Sequence, residues 1–240
     1  MKEKLYTIPV NDAFDSGCEC PICFMQKTLE NNAVEFTMGP SYMEDDVRAE
    51  TDKTGFCNYH LGKLYENKNR LGLALMLKTH MDKTIKDLES LSAKKGKGPS
   101  LFKKNTENSP VKDYADKLKN SCYICSKIDN MFTLYISTFF YLYANDSAFP
   151  DKLKASKGFC TEHYALLFQE ADKHLNAGKA ETFREELNKV YFDNMKRVRD
   201  DLEWFIDKFD YRYVNEPWKN SKDALPRTMT KTNSVLEKDT

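Results

Sequence analysis

The strongest constraint on this chain is a pattern of cysteine and histidine that occurs twice. Each copy is a C-x2-C pair followed, after a gap of similar length, by the motif G-F-C-x2-H. The residues are Cys20, Cys23, Cys57 and His60 in the first copy, and Cys122, Cys125, Cys160 and His163 in the second. The copies are offset by about a hundred residues, which is too long a period for a solenoid. The sequence therefore predicts a duplicated unit.

Three thiolates and one imidazole form a complete tetrahedral ligand set for Zn²⁺. The spacings C-x2-C and C-x2-H let neighbouring side chains converge on one ion, and a helix N-terminus favours the thiolate form of cysteine. We predict that each C-x2-C closes a site with the C-x2-H of its own copy, so that the chain holds two structural zinc ions. Buried cysteines without a metal are one alternative. An iron–sulfur cluster held by three cysteines and a histidine is the other.

Cys18 has no counterpart in the second copy. It extends the first motif to C-x-C-x2-C, and it is therefore a candidate for a spare metal ligand or for a reactive thiol beside a metal. Because free cysteines are common in protein interiors, we interpret Cys18 as an ordinary free cysteine.

The apolar residues follow helical periodicity, and no long stretch alternates with period two. The sequence predicts an all-α fold of two tandem helical units, each closed by one Cys3His metal site. The units are predicted at residues 1–92 and 112–216, with a flexible basic linker at 93–111 between them. A polar tail that packs only in part follows at 217–240.

The same periodicity places the helices. They are expected at residues 23–38, 60–67, 71–92, 113–145, 161–176 and 180–211. Residues 41–54 form a polar, acidic segment, and a loop that contains Pro150 precedes Cys160. About 13 extended residues span about 43 Å, which is enough to return the chain along a helix of about 30 Å. Each half is therefore expected to bring its second motif back to the start of its own first helix.

Composition limits the possible partners and compartments. The 37 basic and 37 acidic residues cancel, so no overall field would hold nucleic acid, and nucleic-acid binding is unlikely on this ground. No apolar run approaches the roughly 20 residues that cross a bilayer. The first residues lack the apolar core of a secretory signal. We therefore expect a cytoplasmic protein without a membrane partner, in which thiols stay reduced.

Two further segments have an unusual composition. Residues 42–48 contain consecutive carboxylates from Glu44 to Asp46, which we interpret as the capped first turn of a short helix rather than as a cation site. Residues 211–218 combine aromatic and basic side chains. They form either a docking edge or a tail that inserts its tryptophan into the core.

No catalytic residues can be assigned from spacing. His80 and His174 fall on apolar helix faces, where a histidine is usually a hydrogen-bonded core residue. No nucleophile with a base and an orienting carboxylate is evident, and glycine-rich phosphate loops are absent from the sequence. The sequence therefore leans against an enzyme and leaves the catalytic residues unknown.

Residues 38–48, the two G-F-C-x2-H motifs, and residues 209–212 with 217–223 together carry a resemblance. In these positions the chain resembles an uncharacterised domain-of-unknown-function family of Gram-positive anaerobic bacteria. The resemblance implies no activity, because the family has none established. It directs attention to residues 42–48 and 211–218.

These observations favour a zinc-binding protein that serves as a binding or interaction module, with an unidentified protein or small molecule as its partner. The alternative is a metal-dependent enzyme, or a redox or metal sensor, in which one site is labile or open. Cys18 or the acidic residues 44–46 would then lie beside that site. The two hypotheses differ in whether both metal sites are saturated by protein ligands.

Overall fold

The structure is a computed structural model that describes residues 6–93 and 109–235. Over these ranges the regular secondary structure is entirely helical, which confirms the predicted all-α class. The α-helices are α1 (Thr7–Asp15), α2 (Pro21–Met38), α3 (Asp45–Thr54), α4 (Asn58–Glu66), α5 (Arg70–Ala93), α6 (Pro110–Lys119), α7 (Tyr123–Asn145), α8 (Phe149–Ala155), α9 (Thr161–His174), α10 (Ala177–Asp207) and α11 (Ala224–Asn233). Short 3-10 helices lie at Pro40–Met43 and Tyr211–Tyr213.

The chain divides into two compact units. Unit 1 consists of Met1–Thr28 together with Phe132–Thr240, and unit 2 consists of Leu29–Met131. The boundaries fall inside α2 and α7. This division differs from the tandem arrangement of residues 1–92 and 112–216 that the sequence suggests, because unit 1 is built from two separate segments of the chain.

Aromatic rings form the centre of unit 1. Phe139 is completely buried, and its ring centroid lies 5.0–5.8 Å from those of four other phenylalanines. These neighbours are Phe14, Phe140, Phe149 and Phe183. Around this centre, the long helix α10 packs against α8, α9 and α11. Edge-on aromatic contacts add to the free energy gained by burying the rings, so this cluster anchors the unit.

Aliphatic side chains form the core of unit 2, where α5 packs against α3, α4, α6 and the first 3-10 helix. The buried residues include Met38, Val47, Leu64, Leu73, Met76 and Ile124. Leu64 from α4 and Met76 from α5 are both 0 % exposed. The core therefore joins the helix that follows the first G-F-C motif to the longest helix of the unit.

The long helix predicted at residues 113–145 is interrupted, and it forms α6 and α7 instead. The backbone N–H of Tyr123 donates to the carbonyl oxygen of Gly55 (3.0 Å), and the hydroxyl of Ser121 donates to that of Thr54 (2.7 Å). The Tyr123 bond takes the place of the backbone bond that would continue the helix, and the Ser121 hydroxyl fixes the interruption to the segment before Gly55. The interruption puts Cys122 immediately before a new helix start.

Two helices occur where the sequence suggested irregular structure. Pro150 lies in the first turn of α8, where its missing N–H costs nothing. The predicted polar tail contains α11, which packs against α9 and α10 and buries Ala224 and Lys231. The sequence hid this helix because its buried face carries a lysine.

Some sequence predictions fall outside the described residues. The predicted basic linker at 93–111 lies there almost entirely, and so do the last five residues of the tail. Among the helices that the structure describes, none combines the length and the apolar character needed to cross a membrane.

The aromatic centre of unit 1 can be tested by truncation. Phe139→Ala should lower the free energy of unfolding by about 3–5 kcal/mol, because it removes a buried ring and leaves a cavity. Phe209→Ala is the matched control, since Phe209 is 76 % exposed. Its effect should stay within about 0.5 kcal/mol. Urea denaturation followed by circular dichroism measures both, and equal losses would contradict the described core.

Candidate metal centres

The four cysteine motifs all lie at the starts of helices. In each motif the first cysteine immediately precedes a helix, and the second ligand is the third residue of that helix. The preceding residues are Cys20 before α2, Cys57 before α4, Cys122 before α7 and Cys160 before α9. The sulfur of Cys160 accepts a hydrogen bond from the backbone N–H of His163 (3.4 Å). Helix N–H groups and helix dipoles thus face the sulfur atoms and favour thiolates.

The first cluster consists of Cys20, Cys23, Cys160 and His163, all of them buried in unit 1. Nδ1 of His163 lies 3.5 Å from the Sγ of Cys20, 3.3 Å from that of Cys23 and 3.1 Å from that of Cys160. The Sγ atoms of Cys23 and Cys160 are 3.6 Å apart. Four ligand atoms therefore surround one point.

The second cluster consists of Cys57, His60, Cys122 and Cys125 in unit 2. Nδ1 of His60 lies 3.3 Å from the Sγ of Cys57, 3.5 Å from that of Cys122 and 3.3 Å from that of Cys125. The Sγ atoms of Cys57 and Cys125 are 4.0 Å apart. These two cysteines are only partly buried, so this cluster is the more accessible one.

The separations between ligand atoms fit a tetrahedral metal site. With Zn–S bonds of about 2.3 Å and Zn–N bonds of about 2.0 Å, the edges of the tetrahedron are about 3.8 Å between sulfurs and about 3.5 Å between sulfur and nitrogen. The observed edges are 3.6 and 4.0 Å between sulfurs, and 3.1–3.5 Å between sulfur and nitrogen. In each cluster all four ligand atoms lie within 4.8 Å of one another. Both clusters could hold one metal ion.

The structure brings together all eight candidate ligands, but it groups them differently from the sequence prediction. Each C-x2-C closes with the C-x2-H of the other copy, so the predicted grouping within a copy is wrong. The expected return of the chain required residues 41–54 to be extended. These residues instead contain α3, whose ten residues cover only about 15 Å. In the second half, α8 shortens the corresponding segment in the same way.

Further hydrogen bonds join the two chain segments that supply the ligands of the first cluster. The ammonium group of Lys231, which is 1 % exposed, donates to the carbonyl oxygen of Glu19 (2.6 Å) and to that of Lys157. These residues immediately precede Cys20 and the second G-F-C motif. Arg197 also pairs with the carboxylate of Glu19 (2.5 Å). Two cations therefore lie near a cluster that would carry one net negative charge with three thiolates and a divalent ion.

The last turn of the structure also reaches the first cluster. Ser234, which caps the end of α11 in a left-handed conformation, donates from its hydroxyl to the Sγ of Cys160 (3.2 Å). Like Lys231, it belongs to the predicted polar tail. No motif or hydrophobic period marked either residue, because each acts through a single polar atom.

The second cluster has a carboxylate beside its histidine. Oε1 of Glu30 lies 3.3 Å from Nε2 of His60, and its other oxygen pairs with Lys63 (2.6 Å). Burial lowers the pKa of His60, which favours the neutral imidazole that a metal requires. A carboxylate behind a metal-binding histidine orients the ring and raises its basicity. Nε2 of His60 lies close to Glu30 without the geometry of a hydrogen bond, and Nε2 of His163 at the first cluster is likewise buried without a hydrogen-bond partner among the described residues.

In the metal-free ligand sets the pKa values of Cys23, Cys125 and His163 are raised, whereas hydrogen bonds to the sulfurs of Cys57 and Cys160 outweigh burial and lower their pKa values. Contacts with the sulfurs of Cys160 and Cys20 raise the pKa of Cys23, and burial raises the pKa of Cys125 to about 12. Burial acts to lower the pKa of His163, but its hydrogen bonds to the same two sulfurs raise it to about 9. A metal ion must displace the protons of the groups whose pKa is raised, so metal affinity falls as the pH falls.

The glycines of the two G-F-C motifs have left-handed backbone conformations. Gly55 has φ +60° and Gly158 has φ +81°, backbone angles that residues other than glycine rarely adopt. A Cβ atom on Gly55 would lie 2.7 Å from Nε2 of His80. Glycine is therefore required where the chain turns from the preceding segment into the cysteine.

The remaining sequence candidates lie outside the clusters. Cys18 is partly buried, and its Sγ approaches the carbonyl oxygen of Ala13 (3.8 Å) rather than a metal ligand. The acidic residues 44–46 are exposed and lead into the first turn of α3. Nearby, Arg48 donates to Thr79 (3.0 Å) and holds α3 against α5. Within segment 42–48, Arg48 therefore has a structural contact with α5.

The histidines outside the clusters and the segment 211–218 also make structural contacts. Nδ1 of His80 lies 2.8 Å from the carbonyl oxygen of Asp52, and the ring of His174 stacks on Phe140. The ammonium group of Lys208, 7 % exposed, donates to three carbonyl oxygens of the loop that follows α10. The ring of Trp218 packs beside Phe205, with centroids 5.9 Å apart.

The chain belongs to the family of unknown function DUF6062, whose match covers residues 1–239. The comparison with curated proteins gave no match, and neither did the comparison with solved structures. Family membership supplies no activity, so the functional argument rests on the two clusters.

Paired variants test the grouping of the ligands. Cys20→Ser combined with His163→Ala should leave one metal ion per chain, because both changes fall in the first cluster. Cys20→Ser combined with His60→Ala should leave none. Metal analysis of the purified proteins distinguishes the groupings, since ligands paired within each copy would give the reverse result. Cys18→Ser is the control and should retain both ions.

Proposed function

We propose that this member of the DUF6062 family is a zinc protein with two structural Cys3His sites. The observation that carries the proposal is the pair of Cys3His clusters, whose observed separations between ligand atoms are close to the edges of a tetrahedral zinc site. Three thiolates and an imidazole leave no open coordination position, which is typical of structural rather than catalytic zinc. The ions would therefore hold the fold together.

The compactness of the clusters favours zinc over an iron–sulfur centre. The ligands of an iron–sulfur cluster bind different iron atoms, which are separated by bridging sulfides. In each cluster here, four ligand atoms lie within 4.8 Å of one another, which leaves space for one ion rather than for a group of atoms. Soft thiolates with imidazole in a tetrahedral arrangement select zinc among the common divalent metals.

We further propose that the protein works as an interaction module in a reducing compartment, such as the cytoplasm. The cysteines are free rather than paired in disulfides, and thiolate metal sites require such conditions. Among residues 6–93 and 109–235, neither cluster has a nucleophile, a base and an orienting group around a substrate cavity. A rigid scaffold that presents its surface to a partner fits this arrangement better than an enzyme does.

Metal analysis tests the proposal directly. Protein purified under anaerobic conditions should contain two zinc ions per chain and be colourless. A structural zinc contributes apparent binding free energy of about 10–16 kcal/mol, whereas a domain is stable by only about 5–15 kcal/mol. Removal of the ions with a strong chelator should therefore make both units sensitive to limited proteolysis. A brown protein with iron and sulfide would contradict the assignment, and so would unchanged protease resistance after metal removal.

The partial exposure of Cys57 and Cys125 favours a second candidate function, a sensor in which the second cluster releases its ion. In His163→Ala, which keeps only the second cluster, a chromogenic chelator should remove zinc rapidly. In His60→Ala, which keeps only the buried first cluster, removal should be slow. Equal rates would contradict a labile second site while leaving the two-zinc assignment intact.

A further inference from the structure

Helix α5 has apolar residues on two opposite faces. On its inner face Gly72, Leu73 and Met76 are buried in the core of unit 2. On its outer face Leu71 is 67 % exposed, Leu75 38 % and Ile85 52 %. Isolated exposed apolar residues are common, but several of them on one face of a helix of 24 residues make that face a candidate for an interaction surface.

The outer face of α5 has the spacing of a coiled-coil seam. Leu71, Leu75, Lys78, Asp82 and Ile85 follow one another at alternating intervals of four and three residues. This alternation keeps side chains on one line along a helix and lets them pack between those of a second helix. The apolar members of the row therefore suit a helical partner better than a flat surface.

The two charged residues in the row indicate the identity of the partner helix. Lys78 and Asp82 form an ion pair (2.6 Å) at the middle of the row, with Leu75 and Ile85 at equal distances on either side. The row is thus complementary to itself when reversed. In an antiparallel pair of α5 helices, Lys78 lies level with Asp82 of the second copy, and Leu75 lies level with its Ile85. A parallel pair would place lysine against lysine.

We propose that a second copy of this chain binds the outer face of α5, in an antiparallel and two-fold symmetric pair. A two-fold interface uses the same patch on both subunits, as a self-complementary row requires. The central charges set the orientation and register, a role that single polar residues play in coiled-coil seams. The proposal names a partner for the interaction module, and it does not depend on which ion the clusters hold.

Charge reversal tests the pairing. The wild-type chain should sediment as a dimer in analytical ultracentrifugation. Lys78→Asp and Asp82→Lys should each weaken dimerisation by about tenfold or more, because they place like charges against one another. An equal mixture of these two variants should recover the wild-type association as a heterodimer, and the double variant Lys78→Asp with Asp82→Lys should recover it as a homodimer. Circular dichroism and metal content serve to show that the variants remain folded.

Substitution of an apolar residue is the second part of the test. Ile85→Glu should produce a monomer with unchanged helicity and metal content, whereas Phe209→Glu, exposed outside α5, should leave the dimer intact. A wild-type chain that stays monomeric at every concentration would overturn the proposal, and so would a dimer that Ile85→Glu does not weaken. Failure of the mixture to recover association would overturn the antiparallel register.

Discussion

In each cluster, two helix N-termini converge on the same point, and this convergence is the interaction on which the fold depends. Helix N-termini carry partial positive charge and unsatisfied N–H groups, so two of them repel unless an anion lies between them. With a divalent ion bound as proposed, three thiolates around it would provide one net negative charge at that position. In the first cluster the two helices are far apart in the chain, since Cys20 and His163 are separated by 143 positions. Coordination of the proposed ion would therefore close contacts that helix packing alone would not specify.

The spacing of the motifs identified the residues that form the two clusters, and the sequence predicted much of the helical structure. An interval of two residues between ligands is the interval between the residue before a helix and the third residue within it. Both positions then face the same point beyond the helix start. The apolar period also places α2, α4, α5, α9 and α10 within a few residues of their observed bounds. These features are local, and local spacing is sufficient to determine them.

The grouping of the motifs could not be read from the sequence. Both copies offer the same donors, so either C-x2-C can coordinate a metal with either C-x2-H. The choice depends on the length of the intervening segments once they fold, and α3 and α8 shorten those segments. The importance of Lys231 was hidden for a similar reason. Its ammonium group joins two carbonyl oxygens from distant segments, and no sequence pattern records such a contact.

The two clusters share a donor set but differ in their surroundings. If either cluster releases its proposed ion, this difference makes the second cluster, in unit 2, the one expected to do so. The first cluster is fully buried and is braced by Lys231, whereas the second has two partly exposed cysteines. His60 lies in α4, whose Leu64 shares a core with Leu73 and Met76 on the inner face of α5. Loss of the proposed ion would release the start of α4 and remove support from that face. The outer face belongs to the same helix, so metal occupancy at the second cluster and pairing of α5 would be linked through one small core.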